Sequence, residues 1–263
     1  MSVPSLPGGL VAGGGRPLGG GMICEVWRAR LSDGREVVVK RAPYPVEVEA
    51  DGLAALAEAG APVPEVLAAE DDVLVLAAVG GPPDWPGLGA ALARMHRSTG
   101  TAFGWHRDNL IGWLPQRNDP CPDWPDFYVN HRIRPWLGAS ALPVDVRRRL
   151  ERACEGPLQA LLDHDPEPSL VHGDLWSGNV VDGRWLVDPA VCYADREYEL
   201  AFMDCFGGFP AALVDAYIAA WPLEPGWQAR RPALQLYHLL VHVEHFGAGY
   251  VGGVTSRLDA LGW

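Results

Sequence analysis

The sequence predicts an α+β fold in two lobes, a small and mainly antiparallel β lobe with one helix followed by a larger helical lobe. Residues before Gly80 form short strand-like runs, whereas residues after Pro83 place apolar side chains at helical spacing. The glycines and prolines of 80–83 between them are typical of a linker. A chain of 263 residues suits one or two domains. We therefore expect lobes over residues 1–80 and 81–263.

The predicted β lobe begins with two strands, over 22–31 and 35–41. They are joined by Ser32, Asp33 and Gly34, and aspartate-glycine between β-branched runs is a strong hairpin signal. Apolar residues at helical spacing then predict a helix over 46–59. Two further strands, over 65–69 and 73–79, complete the order strand, strand, helix, strand, strand.

The second lobe is predicted from apolar residues repeated at helical spacing. Its helices are one that ends near residues 96–98 and five over 126–136, 144–162, 196–206, 211–221 and 231–246. The clear strands of this lobe flank the segment HGDLWSGN at His172–Asn179. We expect the chemistry of the protein in the cleft between the two lobes.

Charge and composition narrow the classes of partner. The formal charge of −12 disfavours nucleic acid and suits a cationic or neutral small molecule. Five cysteines without CxxC spacing are expected to be reduced thiols of a cytoplasmic protein. No basic, apolar leader begins the chain and no run of about 18 apolar residues occurs, so we expect neither export nor membrane insertion. The oligomeric state is left open.

The stretch VVDGRWLVD predicts a hairpin that could hold a metal ion. A two-residue turn at Asp182 and Gly183 would place Asn179 opposite Leu186. Asp188 would then lie diagonally on the same face, roughly 7 to 8 Å from Asn179. Two oxygen ligands on one face suit Mg²⁺, which takes few protein oxygens together with water and phosphate. The alternative is that both side chains only cap local turns.

Asp174 supplies the chemical role that the hairpin lacks. It stands five residues before Asn179, which is the spacing of the kinase catalytic loop, where aspartate accepts the substrate's hydroxyl proton and asparagine holds metal. Gly173 occupies the place of the arginine of protein kinases, and Asp188 that of the metal-binding aspartate of DFG. The spacing therefore predicts a protein-kinase-like fold with Asp174 as the base and with Asn179 and Asp188 as metal ligands.

Upstream residues supply the nucleotide side of such a site in the expected order. Lys40 ends the apolar strand EVVVK, where a phosphate-pairing lysine belongs, although a surface lysine is the alternative. Glu49 on the next helix can form its ion pair, with Glu47 as a competitor. Glycine-rich backbone before the first strand could approach phosphates, and inter-lobe backbone could bind adenine. The residues concerned are Gly19, Gly20 and Gly21, and Ala77, Ala78 and Val79. ATP and Mg²⁺ are therefore the predicted cofactors.

Three segments together resemble the fructosamine kinase family, also called ketosamine 3-kinases. They are HGDLWSGN, DPAVCYADREYELAFMDCFGGF at 188–209 and STGTAFGWHRDNLIGWLPQRND at 98–119. The resemblance runs from about Gly19 to Tyr250. It implies ATP-dependent phosphorylation of the 3-hydroxyl of a ketosamine, either a small molecule or a glycated protein lysine, and so a deglycation activity. The alternatives are a kinase of another amino alcohol, of the aminoglycoside or choline type, and a nucleotide-binding pseudokinase.

The resemblance also suggests substrate-side residues. Trp176 is a candidate platform for the sugar, with packing under the catalytic loop as the alternative. His106, Asp108 and Asn109 either line the substrate site or fix their loop, and we favour the second role. Glu199 matches the acidic residue that ties down the catalytic loop in related kinases.

Two positions depart from the family pattern. Met22 stands where members often have a cysteine, with Cys24 two residues later, so redox control through that cysteine is not expected here. Ala77 replaces an acidic residue that is common between the lobes, which should not prevent backbone recognition of adenine.

Overall fold

A five-stranded antiparallel sheet forms the N-terminal lobe in the computed structural model, which describes residues 3–19 and 23–263. The strands are β1 (Ala12–Leu18), β2 (Glu25–Leu31), β3 (Glu36–Arg41), β4 (Val66–Glu70) and β5 (Val73–Ala77). Their order across the sheet is β1-β2-β3-β5-β4. Helix α1 (Glu47–Glu58) lies between β3 and β4 in the chain, as expected.

The predicted hairpin between β2 and β3 is confirmed. The Leu31 amide donates to the Arg35 carbonyl at 2.8 Å, and Gly34 takes a left-handed φ of 91° in the turn. β1 was not predicted, because its sequence AGGGRPL has three glycines and a proline, which weaken strand propensity. It nevertheless pairs with β2 along its length.

The two faces of the sheet have different neighbours. Trp27, Val37 and Val39 are buried on the outer face under the N-terminal segment. Leu74 and Leu76 pack with the first turns of α1 on the other face. Because side chains alternate along a strand, Lys40 of β3 lies on this second face, on the same side as α1. This alternation brings Lys40 and Glu49 together.

The C-terminal lobe is mainly helical around a large apolar core. Its helices are α2 (Trp85–His96), α3 (Trp124–Phe127), α4 (Val144–Ala153), α5 (Pro157–Leu162), α6 (Arg196–Phe206), α7 (Ala211–Ala220), α8 (Trp227–Leu234), α9 (Leu236–Phe246) and α10 (Val251–Leu261). α3 continues through a π-helical turn, Tyr128–Ile133. Within the described residues, no helix is both long and apolar enough to cross a membrane.

Two predicted helices are each divided in the structure. The helix expected over 144–162 breaks at Gly156, whose φ of 143° is incompatible with a right-handed helix, and so becomes α4 and α5. The helix expected over 231–246 belongs to α8 and α9, which meet at Gln235. α10 was not predicted.

Three short hairpins or strand pairs hold the loops of this lobe. They are β6 (Asn109–Ile111) with β7 (Leu114–Gln116), β8 (Ser169–Val171) with β11 (Cys192–Ala194), and β9 (Val180–Val181) with β10 (Trp185–Leu186). β8 leads into the HGDLWSGN segment, while β11 follows Asp188 by four residues. Pairing of β8 with β11 therefore brings both ends of the predicted catalytic region together.

The predicted register of the β9–β10 hairpin is wrong by one residue. Trp185 pairs with Val181, so three residues, 182–184, separate the strands instead of two. Asp182 and Gly183 have left-handed φ of 52° and 63°, and Arg184 completes the three-residue turn. Asn179 therefore does not face Leu186, and its carbonyl accepts from the Val187 amide at 3.1 Å.

Candidate active site

A cavity of about 1150 Å³ lies between the sheet and the helical lobe. Residues of the β-sheet, of the inter-lobe segment and of the HGDLWSGN loop line it together. The predicted site residues among them are Lys40, Glu49, Ala77, Ala78, Val79, Asn109, Asp174, Trp176, Asn179 and Asp188. The structure thus brings together residues that lie up to 148 positions apart in the chain.

Lys40 is buried and shared by two carboxylates. Its Nζ donates to Glu49 Oε2 at 2.6 Å and to Asp188 Oδ1 at 2.9 Å. Burial alone would lower the pKa of Lys40, but the two carboxylates outweigh it and hold that pKa well above its usual range. Glu47 is exposed, so Glu49 forms the ion pair.

The two carboxylates beside Lys40 differ in their surroundings. Burial raises the pKa of Glu49, although Lys40 opposes the shift. Burial also acts on Asp188, but there the charge and the hydrogen bond of Lys40 prevail and lower the pKa. The Asp188 side chain is 51% exposed toward the cleft, and its backbone has a left-handed φ of 56°. A strained aspartate that faces a cavity is typical of a functional site.

Asp174 and Asn179 lie on the loop that follows β8. The Asn179 Nδ2 donates to the Asp174 carbonyl at 2.8 Å and to Asp174 Oδ2 at 3.1 Å. Burial, reinforced by the nearby charge of Asp188, raises the pKa of Asp174 to about 8. A carboxyl group whose pKa is close to neutral is suited to accept a proton.

Gly173 holds the HGDLWSGN loop against the helical lobe. Its amide donates to Glu199 Oε1 at 2.7 Å, and its carbonyl accepts from His238 Nε2 at 3.0 Å. Its φ is 83°, and a Cβ added there would lie 2.0 Å from the Ala190 carbonyl oxygen. The position therefore requires glycine, where protein kinases have arginine. The predicted role of Glu199 as a tie to this loop is confirmed.

A buried chain of hydrogen bonds continues from Glu199 and was not predicted. Glu199 Oε2 lies 2.8 Å from His96 Nε2, and His96 Nδ1 lies 2.7 Å from the Tyr217 hydroxyl. The available signal was His96 itself, a polar residue that follows the apolar face of α2. The sequence of α9 offers no comparable signal for His238, whose ring stacks on Phe202.

His172 connects the catalytic loop to the hairpin. Its Nδ1 accepts from the Asp174 amide at 3.3 Å, which leaves Nε2 to donate to the Val187 carbonyl at 2.9 Å. Burial lowers the pKa of His172, so the ring is neutral at physiological pH. The ring fixes the spacing between Asp174 and the segment after β10 that carries Asp188.

The inter-lobe segment offers backbone to the cleft. The amides of Ala77 and Ala78 donate to the carbonyls of Glu65 and Glu36 at 2.9 and 3.0 Å, so both are already used. Among the described residues, none accepts from the Val79 amide. Apolar side chains line this end of the cavity: Leu18, Val26, Val38, Leu76 and Val187. Gly19 is exposed, while Gly20 and Gly21 lie outside the described residues.

Comparison with known proteins identifies the family. Residues 13–261 match the family described as fructosamine kinase. The chain belongs to the fructosamine kinase family. A probable ketoamine kinase of Thermus thermophilus is 36% identical over 253 residues, which are 93% of this chain and 92% of that protein. The predicted family is thereby confirmed.

Two further relatives of this fructosamine kinase family member show its fold and how much of a relative's length it covers. The crystal structure of a candidate fructosamine-3-kinase from Thermobifida fusca has a TM-score of 0.89 and 35% identity, and the match covers 96% of this chain and 94% of that one. The predicted α+β, kinase-like fold is confirmed. A probable ketoamine kinase of Synechocystis is 41% identical over 182 residues, 65% of this chain and 60% of that protein. The chain thus spans about three fifths of the length of that relative.

In this fructosamine kinase family member, Trp176 and Asn109 reach the cavity. Trp176 is 41% exposed, and a Cβ added at Gly178 would lie 2.2 Å from its ring, so one face of the indole rests on Gly178. Asn109 donates to the Val191 carbonyl at 2.8 Å, and its Oδ1 accepts from Gln116 and Asn118. The indole is therefore the more accessible of the two side chains.

His106 and Asp108, predicted as substrate-binding residues, are not among the residues that line the cavity. His106 is exposed beside Asp51, at 3.3 Å. The Asp108 carboxylate accepts from the Asn118 amide at 2.8 Å and so closes its own loop. These contacts support the favoured role of fixing the 105–118 segment over the substrate-binding role, through α1 for His106 and within the segment for Asp108.

The donor set near Asp174 suits a hard cation. Because Asn179 Nδ2 is directed at Asp174, the amide Oδ1 is free among the described residues. Asp188 uses Oδ1 for Lys40, and its side chain is half exposed to the cleft. Amide and carboxylate oxygens are the ligands that Mg²⁺ accepts in phosphate sites.

Proposed function

We propose that this protein is an ATP-dependent kinase that phosphorylates the 3-hydroxyl of ketosamines. The observation that carries the proposal is the position of Asp174, a carboxylate of raised pKa in the same cleft as the Lys40, Glu49 and Asp188 cluster. Phosphoryl transfer depends mainly on positioning and electrostatics, and this cleft offers both. Membership of the fructosamine kinase family supports the ketosamine as acceptor.

The residues suggest the following division of labour. Asp174 accepts the proton of the 3-hydroxyl while that oxygen bonds to the γ-phosphorus, and the bond from phosphorus to the bridging oxygen breaks to release ADP. Lys40, held by Glu49, orients the phosphates of ATP. Asn179 and Asp188 would hold Mg²⁺, which neutralises charge on the phosphates when bound. The inter-lobe backbone at Val79 would receive adenine.

The substrate side of the proposal rests on the cavity wall near Trp176. Its exposed indole offers an apolar face to a sugar ring. The formal charge of −12 is compatible with an amine substrate, whether a free amino acid adduct or a glycated protein lysine. Phosphorylation of such adducts would make the protein a deglycation enzyme. Lobes over 1–80 and 81–263 and a cytoplasmic location complete the proposal.

The decisive experiment is an ATP-consumption screen with Mg²⁺ over fructosamines, ribulosamines, aminoglycosides and choline. We expect turnover of ketosamines and 3-phosphorylated products, identified by NMR of the sugar. Trp176→Ala should raise KM for the ketosamine and leave KM for ATP unchanged. Turnover of choline or aminoglycosides alone would show that the acceptor is another amino alcohol and not a ketosamine. Binding of ATP without turnover of any acceptor would indicate a pseudokinase.

A further inference from the structure

A second cavity, of about 590 Å³, lies in the helical lobe and shares no lining residue with the cleft. It is formed by the link between α5 and β8, the first turn of α6 and the link between α7 and α8. Carboxylates dominate its wall: Asp165, Glu167, Asp195, Glu197 and Glu224. His164 and Arg196 are the basic residues of this lining. The cavity therefore favours a cation.

Three potential metal ligands converge in this cavity. His164 Nε2 lies 3.2 Å from Asp195 Oδ2 and 3.8 Å from Glu197 Oε2. All three ligand atoms lie within 4.8 Å of one another. Bonds of about 2.1 Å in a tetrahedral zinc site place ligand atoms roughly 3.4 Å apart. The observed separations around His164 agree with a common central ion.

Each of the three side chains is oriented by another group, and in Glu197 this group, Arg230, bonds both carboxylate oxygens. His164 Nδ1 lies 2.9 Å from the Leu162 carbonyl and therefore carries a proton, so in the neutral ring the lone pair is on Nε2. Asp195 Oδ1 accepts from the Glu197 amide at 2.9 Å. Glu197 receives two hydrogen bonds from Arg230, at 2.7 and 2.8 Å. Outer partners of this kind orient the ligands of metal sites.

Asp195 provides an independent observation that points to a missing cation. Only 1% of the residue is exposed, and no described residue forms a hydrogen bond with its Oδ2. A buried carboxylate oxygen without a hydrogen bond is costly, and a neutral His164 would turn a second lone pair toward it. A positive centre between Nε2 and the two carboxylates would satisfy His164 Nε2 and Asp195 Oδ2, and it would add to the bond that Glu197 Oε2 accepts from Arg230.

We propose that His164, Asp195 and Glu197 bind a divalent transition metal ion, with Zn²⁺ the best match. One imidazole nitrogen with two carboxylate oxygens suits Zn²⁺ and its neighbours in the first transition row, whereas Mg²⁺ prefers oxygen and water. The ion neutralises a site that carries two carboxylates against one adjacent arginine, Arg230. Its role is structural, because the site lies outside the cleft.

The site is connected to the HGDLWSGN loop through β8 and α6. His164 precedes β8, which leads directly to His172, whereas Asp195 and Glu197 begin α6. The same helix carries Glu199, which holds the Gly173 amide. An ion at this point therefore clamps together the two segments that position Asp174.

The test uses the full-length protein after treatment with a chelator. Millimolar Mg²⁺ is kept present so that oxygen sites in the cleft are filled, and Zn²⁺ is titrated by calorimetry and thermal melting. We expect one equivalent to bind and the melting temperature to rise. Co²⁺ in place of Zn²⁺ should give visible absorption bands from a nitrogen and oxygen site of low coordination number.

Three variants localise the ion. His164→Gln and Asp195→Asn should each weaken Zn²⁺ binding at least tenfold, and Asp195→Asn keeps an oxygen that can still accept from the Glu197 amide. His131→Gln is the control, since His131 has one carboxylate near it, Asp119 at 4.0 Å. Unchanged affinity in both site variants, or loss of binding in Asp188→Asn instead, would refute the site. So would absence of Zn²⁺ uptake, which would leave an ion pair between a protonated His164 and Asp195.

Discussion

The HGDLWSGN loop carries one carboxylate, Asp174, and rests on another, Glu199. The pKa values of these two groups are shifted in opposite directions. Asp174 faces the cleft, and burial together with the charge of Asp188 raises its pKa to about 8. Glu199 lies beneath the loop. Burial opposes its ionisation too, but the hydrogen bond and charge of His96 outweigh burial and lower the pKa. Burial opposes the ionisation of both groups, so the opposite directions of the two pKa shifts follow from their partners.

The two carboxylates also differ in how fully their oxygens are hydrogen-bonded within the protein. In the cleft, Lys40 serves two carboxylates, and Asp174 receives a hydrogen bond from Asn179 alone among side chains. Beneath the loop, Glu199 has partners at both oxygens. We infer that the cleft side gives up stability for function, while the buried side provides the stability that positions it.

The largest expected effect is on turnover, in Asp174→Asn. Asparagine keeps an oxygen that can accept from Asn179 but cannot take the substrate's proton, so kcat should fall by about 10² to 10⁴. The melting temperature without nucleotide should equal or exceed that of the wild type, because a poorly compensated carboxylate is removed. Steady-state kinetics and thermal melting measure both quantities.

Asp215→Asn on the exposed face of α7 is the matched control and should alter neither quantity. An Asp174→Asn variant with wild-type kcat would remove Asp174 as the base. A variant with a much lower melting temperature would show that Asp174 supports the fold, and the contrast with Glu199 would be lost.

The second effect is on the loop that joins the two sides, in Gly173→Ala. Alanine adopts a φ of 83° with strain, and its Cβ would also meet the Ala190 carbonyl oxygen at 2.0 Å. We expect the free energy of unfolding to fall by about 2 to 5 kcal/mol, from the left-handed backbone and from overpacking. Urea denaturation gives this value, and kcat should fall with it.

Gly60→Ala separates the two causes. Gly60 has a φ of 78° with nothing within 4 Å of an added Cβ, so its cost should be the backbone alone, about 1 to 2 kcal/mol. Equal losses in both variants would mean that the close approach to Ala190 is not needed to hold the loop.

The cleft side could be predicted from the sequence, whereas the buried side mostly could not. Asp174 and Asn179 are five residues apart on one loop, and Lys40 and Glu49 follow each other in adjoining elements, so local spacing carries the information. His96 and Glu199 are 103 residues apart, and their contact depends on how α2 packs against α6. Short motifs do not encode such packing.

Local backbone detail was the other limit of prediction. The β9–β10 register differs by one residue because the turn has three residues, 182–184, and the alternation of side chains in the sequence does not distinguish a two-residue turn from a three-residue turn. For His106 and Asp108 the segment allowed both a substrate-binding and a loop-fixing role, and their contacts are with Asp51 of α1 and with the Asn118 amide. A segment that resembles a family shows where a loop belongs without showing which of its side chains face the cavity.

Glu199→Gln tests how much the charge of the buried carboxylate contributes to stability, and its effect should be smaller than that of Gly173→Ala. Glutamine keeps the shape and an oxygen for the Gly173 amide but removes the charge beside His96, at a cost of about 1 to 3 kcal/mol near neutral pH. The lowered pKa of Glu199 sets the pH dependence. Its stabilisation is complete above the unfolded value of about 4.3 and is lost as the pH falls toward the folded value.

Urea denaturation of wild type and Glu199→Gln between pH 7 and pH 3.5 measures that dependence. The difference in free energy of unfolding should shrink as the pH falls below about 4.3, because the Glu199 carboxylate of the unfolded wild-type chain then takes up a proton while the folded one stays ionised. Glu151→Gln, at an exposed position of α4, should show no such convergence. A difference that stays constant over this range would mean that shape rather than charge makes Glu199 a good anchor, and that the two carboxylates do not differ in the way their surroundings imply.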